Sequence, residues 1–146
     1  MERSFVVEVP NDLRAIERTV ELVVRRCQTC EEQARRFHLN FRVGLAEALA
    51  NAMLYGNGPD PAKRVRVEVC VTTAAVSARV TDQGDGFDPS TIEDPTLPEN
   101  LLRPGGRGLF LMRKLLDEVR YNDRGNSVTL VLQLEENRPF DEAATA

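Results

Sequence analysis

Three short stretches carry residue types that could do chemistry together. The first is Glu47-Ala48-Leu49-Ala50-Asn51. Residues four apart in a helix share a face, so the spacing predicts a carboxylate one turn from an amide. The Asn51 oxygen suits Mg2+, a hard cation that favours oxygen donors. Glu47 could orient or deprotonate a hydroxyl or water beside a phosphate. The plain alternative is a polar stripe on a solvated helix face. The second stretch is Asp82-Gln83-Gly84-Asp85-Gly86. A buried Asp82 carboxylate could accept the exocyclic amine of adenine, and Gly84 and Gly86 lack the Cβ atoms that would hold backbone away from base and ribose. Asp and Gly also dominate ordinary turns. The third is Gly105-Gly106-Arg107-Gly108 ahead of Leu109. A glycine-rich loop opening a helix offers unpaired N–H groups to phosphate, aided by the helix dipole, and Arg107 could add a charge there. It is neither a Walker loop nor a Rossmann fingerprint, and a hinge before a packed helix reads equally well.

The elements that must position these residues are legible from periodicity. Phe5 to Val9 forms a short strand closed by Pro10, and Asn11 or Asp12 caps a helix whose stripe is Leu13, Ile16, Val20, Val23 and Cys27. The stretch from Cys30 to Asn40 reads as a short helix or loop. A second helix is expected from about Asn40 to Tyr55, stopped by Gly56-Asn57-Gly58-Pro59. Small residues at Ala46, Ala48, Ala50 and Ala52 let a neighbour come close. Val65, Val67, Val69 and Val71 alternate with polar residues, as do Val76, Ala78 and Val80, so two half-buried strands follow. The second runs straight into Asp82. Pro89 to Pro104 reads as a surface segment. A helix from Leu109 to about Leu116 precedes strands at Glu118–Asn122 and Ser127–Leu134, with a turn at Asp123–Asn126. The expected fold is an α+β two-layer sandwich. Its mixed, mostly antiparallel sheet has one face covered by about three helices and the other solvated. A single domain is expected over residues 1–138, with 139–146 a flexible tail.

Composition narrows the function. In 146 residues, 42% are hydrophobic and 29% charged, the balance of a globular domain. A formal net charge of −4 argues against direct binding to nucleic acid, which needs clustered cations. No apolar run is long enough to cross a bilayer or make a signal peptide, so no membrane association and a cytoplasmic location are expected. Cys27 and Cys30 form a C-x-x-C with no partner pair to complete a zinc site, and read as ordinary buried thiols. His38 is the single histidine, which removes histidine triads and multi-histidine metal sites.

In chain order the signals read Glu-x-x-x-Asn on a helix, Asp-x-Gly-x-Gly after a strand, and Gly-Gly-x-Gly before a helix. This series resembles the Bergerat-type (GHKL) ATP-binding fold of gyrase, histidine kinases and MutL. Finer detail is similar to the bacterial anti-sigma factor serine/threonine kinases. It lies in Glu47 to Asn51, Tyr55-Gly-Asn-Gly58, Asp60-Pro-Ala-Lys63, Gly106 to Met112 and Asp117 to Tyr121. The resemblance covers nearly the whole chain. It implies Mg·ATP held between helices and sheet beneath a lid, and transfer of the γ-phosphate to a serine or threonine of a small STAS-fold anti-anti-sigma protein. A sigma factor would be the second partner, and a homodimer the usual assembly. On matching positions it implies Mg2+ on Asn51, Glu47 as base and Asp82 on adenine. Gly84 and Gly86 would shape that wall, with Gly105, Gly106 and Gly108 as lid hinge and Arg107 near phosphate. Tyr55 departs from the pattern, since many relatives carry His there. The competing reading is a module that binds nucleotide and sequesters a partner with little transfer. The catalytic half of a histidine kinase is disfavoured, because His38 stands in no phospho-acceptor context.

Overall fold

The computed structural model describes residues 2–27, 37–86 and 106–134. Its strands are β1 (Arg3–Pro10), β2 (Arg64–Val71), β3 (Ala75–Thr81), β4 (Glu118–Tyr121) and β5 (Ser127–Gln133). Its α-helices are α1 (Ile16–Cys27), α2 (Arg42–Asn51) and α3 (Gly106–Leu115). The sheet order is β1-β2-β3-β5-β4, and every pairing is antiparallel rather than mixed. β5 lies between β3 and β4, so β3 and the edge strand β4 run parallel without touching.

The valine alternation sets the register. Val7 pairs with Val67 and Val67 with Val80, while Ala78 pairs with Leu130. All of β2's valines therefore fall on one face with Val76, Ala78, Val80, Val128, Leu130 and Leu132, and all are buried. The other face carries Glu8, Arg66, Glu68 and Arg79. Arg66 bonds Glu8 at 3.3 Å and Glu68 at 3.0 Å. These pairs are half exposed, so they keep the face wet more than they stabilise it. The two-layer α+β sandwich is the expected one.

The helices cover the apolar face. α1 buries Val20, Val23, Val24 and Cys27, and burial pushes the Cys27 thiol up to about 11, which leaves it protonated and inert. Cys30 lies outside the described residues. Leu13, expected on the α1 stripe, sits half exposed in a 3-10 turn, Leu13–Ala15, that leads into the helix. Asp12 caps that turn through the Arg14 N–H at 2.9 Å, which frees Asn11 for another task. α2 buries Leu45, Ala48 and Leu49. The expected helix from Asn40 to Tyr55 is helical over 37–57, but only Arg42–Asn51 is α. Single π turns, Phe37–Phe41 and Ala52–Asn57, flank it. Such wide turns recur at functional sites, and one begins directly after Asn51.

Candidate functional site

Along α2, Gly44, Glu47 and Asn51 lie on one stripe, and that stripe faces α3. At Gly44 an added Cβ would come within 2.7 Å of the Leu116 side chain, and at Gly108 one would come within 2.7 Å of Glu47 Oε1 and 2.9 Å of Asn51 Nδ2. The two helices are thus antiparallel, with each glycine admitting the other helix's side chain. α3 comes close at Gly44 and Gly108, while Ala48 and Ala52, among the alanines expected to admit a neighbour, are buried in the core.

α3 begins at Gly106, three residues before the expected Leu109. Gly106 and Gly108 therefore belong to its first turn and do not precede it. The missing Cβ at Gly108 explains that glycine by close packing, without a hinge. Gly105 and the segment Pro89 to Pro104 lie outside the described residues. Arg107 is placed on the first turn of α3 by its backbone. The first four N–H groups of a helix have no partners within it, and here that end of α3 abuts Glu47 and Asn51. Both side chains are half-buried, and among the described residues neither forms a hydrogen bond or ion pair. A carboxylate, an amide and a helix N-terminus converge there.

Asp82 is built differently. It follows β3 directly and is 8% exposed. Its Oδ1 accepts the Gly84 N–H at 2.8 Å, and its own N–H donates to the Asn126 carbonyl at 2.9 Å. Burial raises its carboxyl above the usual range, opposed by the Gly84 N–H and by the charges of Lys63 and Arg124. Gly56, at the exit of the helical course, lies against the Asp82 carboxylate, where a Cβ would collide with it. The Cβ position of Gly84 is filled by the Gly56 carbonyl and that of Gly86 by the Arg124 carbonyl, and Gly86 has a φ of +86°. Both glycines are thus required by the packing of the wall itself. Tyr121 of β4 belongs to the same neighbourhood. Burial, opposed by Arg113 and reinforced by the Asp82 charge, pushes its hydroxyl up to about 12.

The sequence offers Asn11 as a helix cap and Asn57 as part of a helix stop. In the structure they hold this wall. Asn57 is 5% exposed, its Oδ1 accepts the Gln83 N–H at 2.7 Å, and its Nδ2 donates to the Arg64 carbonyl at 3.0 Å and to Asn11 Oδ1 at 3.3 Å. Tyr55, by contrast, is 55% exposed.

For Mg2+, the test is the chemistry of the donors. No group of three or more His, Cys, Asp or Glu side chains able to hold a metal occurs among the described residues. Asn51 and Glu47 offer oxygen only. A site that supplies one or two oxygens and leaves the rest to phosphates and water fits Mg2+. For a nucleotide, the Asp82 wall offers a buried acceptor, and the first turn of α3 offers N–H donors.

A helix-covered antiparallel sheet with these groups defines a class: the chain belongs to the histidine kinase-like ATPase domain family, whose model matches residues 7–132. Among individual proteins it is similar to the serine-protein kinase RsbW of Bacillus licheniformis, 34% identical over 112 residues that cover 70% of this chain and 68% of the relative. The RsbW of Listeria monocytogenes serotype 4a (strain HCC23) is 27% identical over 111 residues, 71% of each chain. That of Bacillus subtilis (strain 168) is 29% identical over 106 residues, 68% of this chain and 66% of the relative. This is the anti-sigma factor kinase branch that the motifs resemble. No helix among the described residues is long and apolar enough to cross a membrane.

Proposed function

We propose that this protein binds Mg·ATP and passes the γ-phosphate to a serine or threonine of a STAS-type anti-anti-sigma protein. It would hold a sigma factor in alternation with that partner, as a cytoplasmic homodimer that regulates transcription by partner switching. The observation that carries the reading is the convergence of Glu47 and Asn51, unpaired among the described residues, on the first turn of α3 at Gly108. A helix that only needed a solvated polar stripe would not require a glycine opposite it.

In this reading Asp82 accepts the adenine amine. The N–H groups at the start of α3, with Gly105, Gly106, Arg107 and Gly108, receive phosphate, and Asn51 supplies an oxygen to Mg2+. A metal held there would neutralise phosphate charge, which with positioning is most of what phosphoryl transfer requires. Glu47 orients the acceptor hydroxyl and takes its proton as the new P–O bond forms and the bond to the β-phosphate oxygen breaks, leaving ADP. Gly84 and Gly86 keep the base wall in shape.

The test is transfer of label from γ-labelled ATP to purified STAS-domain proteins in the presence of Mg2+. Label on a serine or threonine, lost in Glu47→Ala with nucleotide binding retained, is the expected result. Tight Mg·ATP binding with no partner ever labelled would leave the nucleotide-dependent binding module in its place.

A further inference from the structure

Two runs of three residues meet at the base wall, and one side chain bonds them together. On the helix exit are Gly56, Asn57 and Gly58, and on the loop after β3 are Asp82, Gln83 and Gly84. Gly56 lies against the Asp82 carboxylate, and its carbonyl fills the space where Gly84 would carry a Cβ. Between these contacts, Asn57 Oδ1 takes the Gln83 N–H at 2.7 Å. The Gln83 side chain is held too, its Oε1 accepting the Arg64 N–H at 2.6 Å. The other end of the Asn57 amide donates to the Arg64 carbonyl and to Asn11. Asn11 Nδ2 in turn holds the Gly58 and Asp60 carbonyls at 2.8 and 2.9 Å. Both ends of the buried Asn57 amide are thus spent within the protein.

We propose that Asn57 is a specificity-determining positioning residue, which fixes the Gln83 backbone and through it the direction in which the Asp82 carboxylate meets the purine. The inference rests on Asp82 being the adenine acceptor. Adenine presents an amine donor at C6 where guanine presents a carbonyl acceptor. A carboxylate held in one direction accepts from the first and repels the second. A carboxylate free to turn loses most of that difference, because hydrogen bonds weaken steeply with misalignment.

The experiment compares the affinities of non-hydrolysable ATP and GTP analogues for wild type, Asn57→Ala, Asn11→Ala and Asp82→Ala, each below its own melting temperature. Asn57→Ala is expected to cut the preference for ATP by about tenfold, the scale of one mis-set hydrogen bond to a charged group. Asn11→Ala breaks the neighbouring loop anchor but leaves the Gln83 bond, so it should lower Tm and keep the preference within about twofold. A purely structural Asn57 would behave like Asn11. Asn57→Ala with wild-type preference, beside a collapsed preference in Asp82→Ala, overturns the proposal alone. An unchanged preference in Asp82→Ala overturns the base-recognition reading beneath it. Should Asn57→Ala not fold, amide exchange in the wild-type chain decides. The Gln83 N–H is expected to be protected and to slow further with the ATP analogue. Free exchange, or no response to it, refutes the clamp.

Discussion

Asp82 and Asn51 each carry an oxygen suited to hold part of a nucleotide, yet the chain surrounds them differently. Asp82 is buried, bonded to Gly84, locked by glycine contacts on two sides and backed by the Asn57 network. Asn51, with Glu47, is half-buried, opposes a single glycine and bonds nothing among the described residues. The Asp82 wall is assembled before any ligand arrives, so it can discriminate by direction. In the seam between α2 and α3 the Glu47 and Asn51 side chains bond nothing among the described residues, which leaves both open to a ligand. A bonded acceptor and a pair left unbonded among the described residues thus face one helical course at different places.

The largest effect should come from breaking the open half. Asn51→Ala is expected to lower Mg·ATP affinity by at least about 100-fold, as read by calorimetry with a non-hydrolysable analogue. Glu47→Ala should leave that affinity nearly unchanged and slow transfer by about 10²- to 10⁴-fold, the usual range for a lost general base. Normal affinity in the Asn51 variant would sink the assignment of this seam to the metal and phosphates.

The next test strikes the closed half. Asp82→Ala removes the acceptor and should let ATP and GTP compete about equally. An unchanged preference would move base recognition elsewhere.

How much of this contrast the sequence could reveal follows from its physical basis. Valine alternation in β2 and β3 predicted the strands and their buried face, because a period of two puts the apolar residues on one side; the register came from the structure. The Glu47–Asn51 spacing and the Asp82 loop were equally readable, since helix geometry and strand ends fix them locally. What was not readable depends on contacts distant in sequence. Asn57 lay in Gly56-Asn57-Gly58-Pro59, where Asn is an unremarkable turn residue, and nothing local says that its amide meets Gln83, 26 residues away. Gly108 looked like a hinge because its neighbours are glycines, and only the antiparallel packing of α3 on α2 shows what its missing Cβ admits. The start of α3 was misplaced for a related reason: helix propensity penalises the glycines that tertiary contact requires.

Glycine substitutions sharpen the comparison at intermediate size. In Gly108→Ala the new methyl meets the flexible ends of Glu47 and Asn51, which can swing aside. Nucleotide affinity should fall about tenfold with little change in Tm. In Gly56→Ala the methyl meets the held Asp82 carboxylate, and overpacking of this kind costs about 1–3 kcal/mol. Thermal melts and titrations of the two proteins should therefore rank them in opposite orders. Equal loss of stability would mean that the α2–α3 seam is as rigid as the Asp82 wall.

The smallest effect separates recognition from stability at Asp82 itself. Burial raises its carboxyl above the unfolded value of about 4, so the ionised form is penalised in the folded chain. A raised pKa favours folding fully below the unfolded value, and that advantage is lost as pH rises through the folded one. At neutral pH the Asp82 charge is then a net cost of keeping a buried acceptor. Asp82→Asn keeps an oxygen for the Gly84 N–H and removes the charge. It should raise Tm at pH 7. The gain should shrink as pH falls below about 4, where the carboxyl becomes protonated in both states, even as the variant loses its preference for ATP. A lower Tm at pH 7 would mean that the attraction of Lys63 and Arg124, with the Gly84 bond, outweighs burial, and that the wall is held together by the charge it presents to the base.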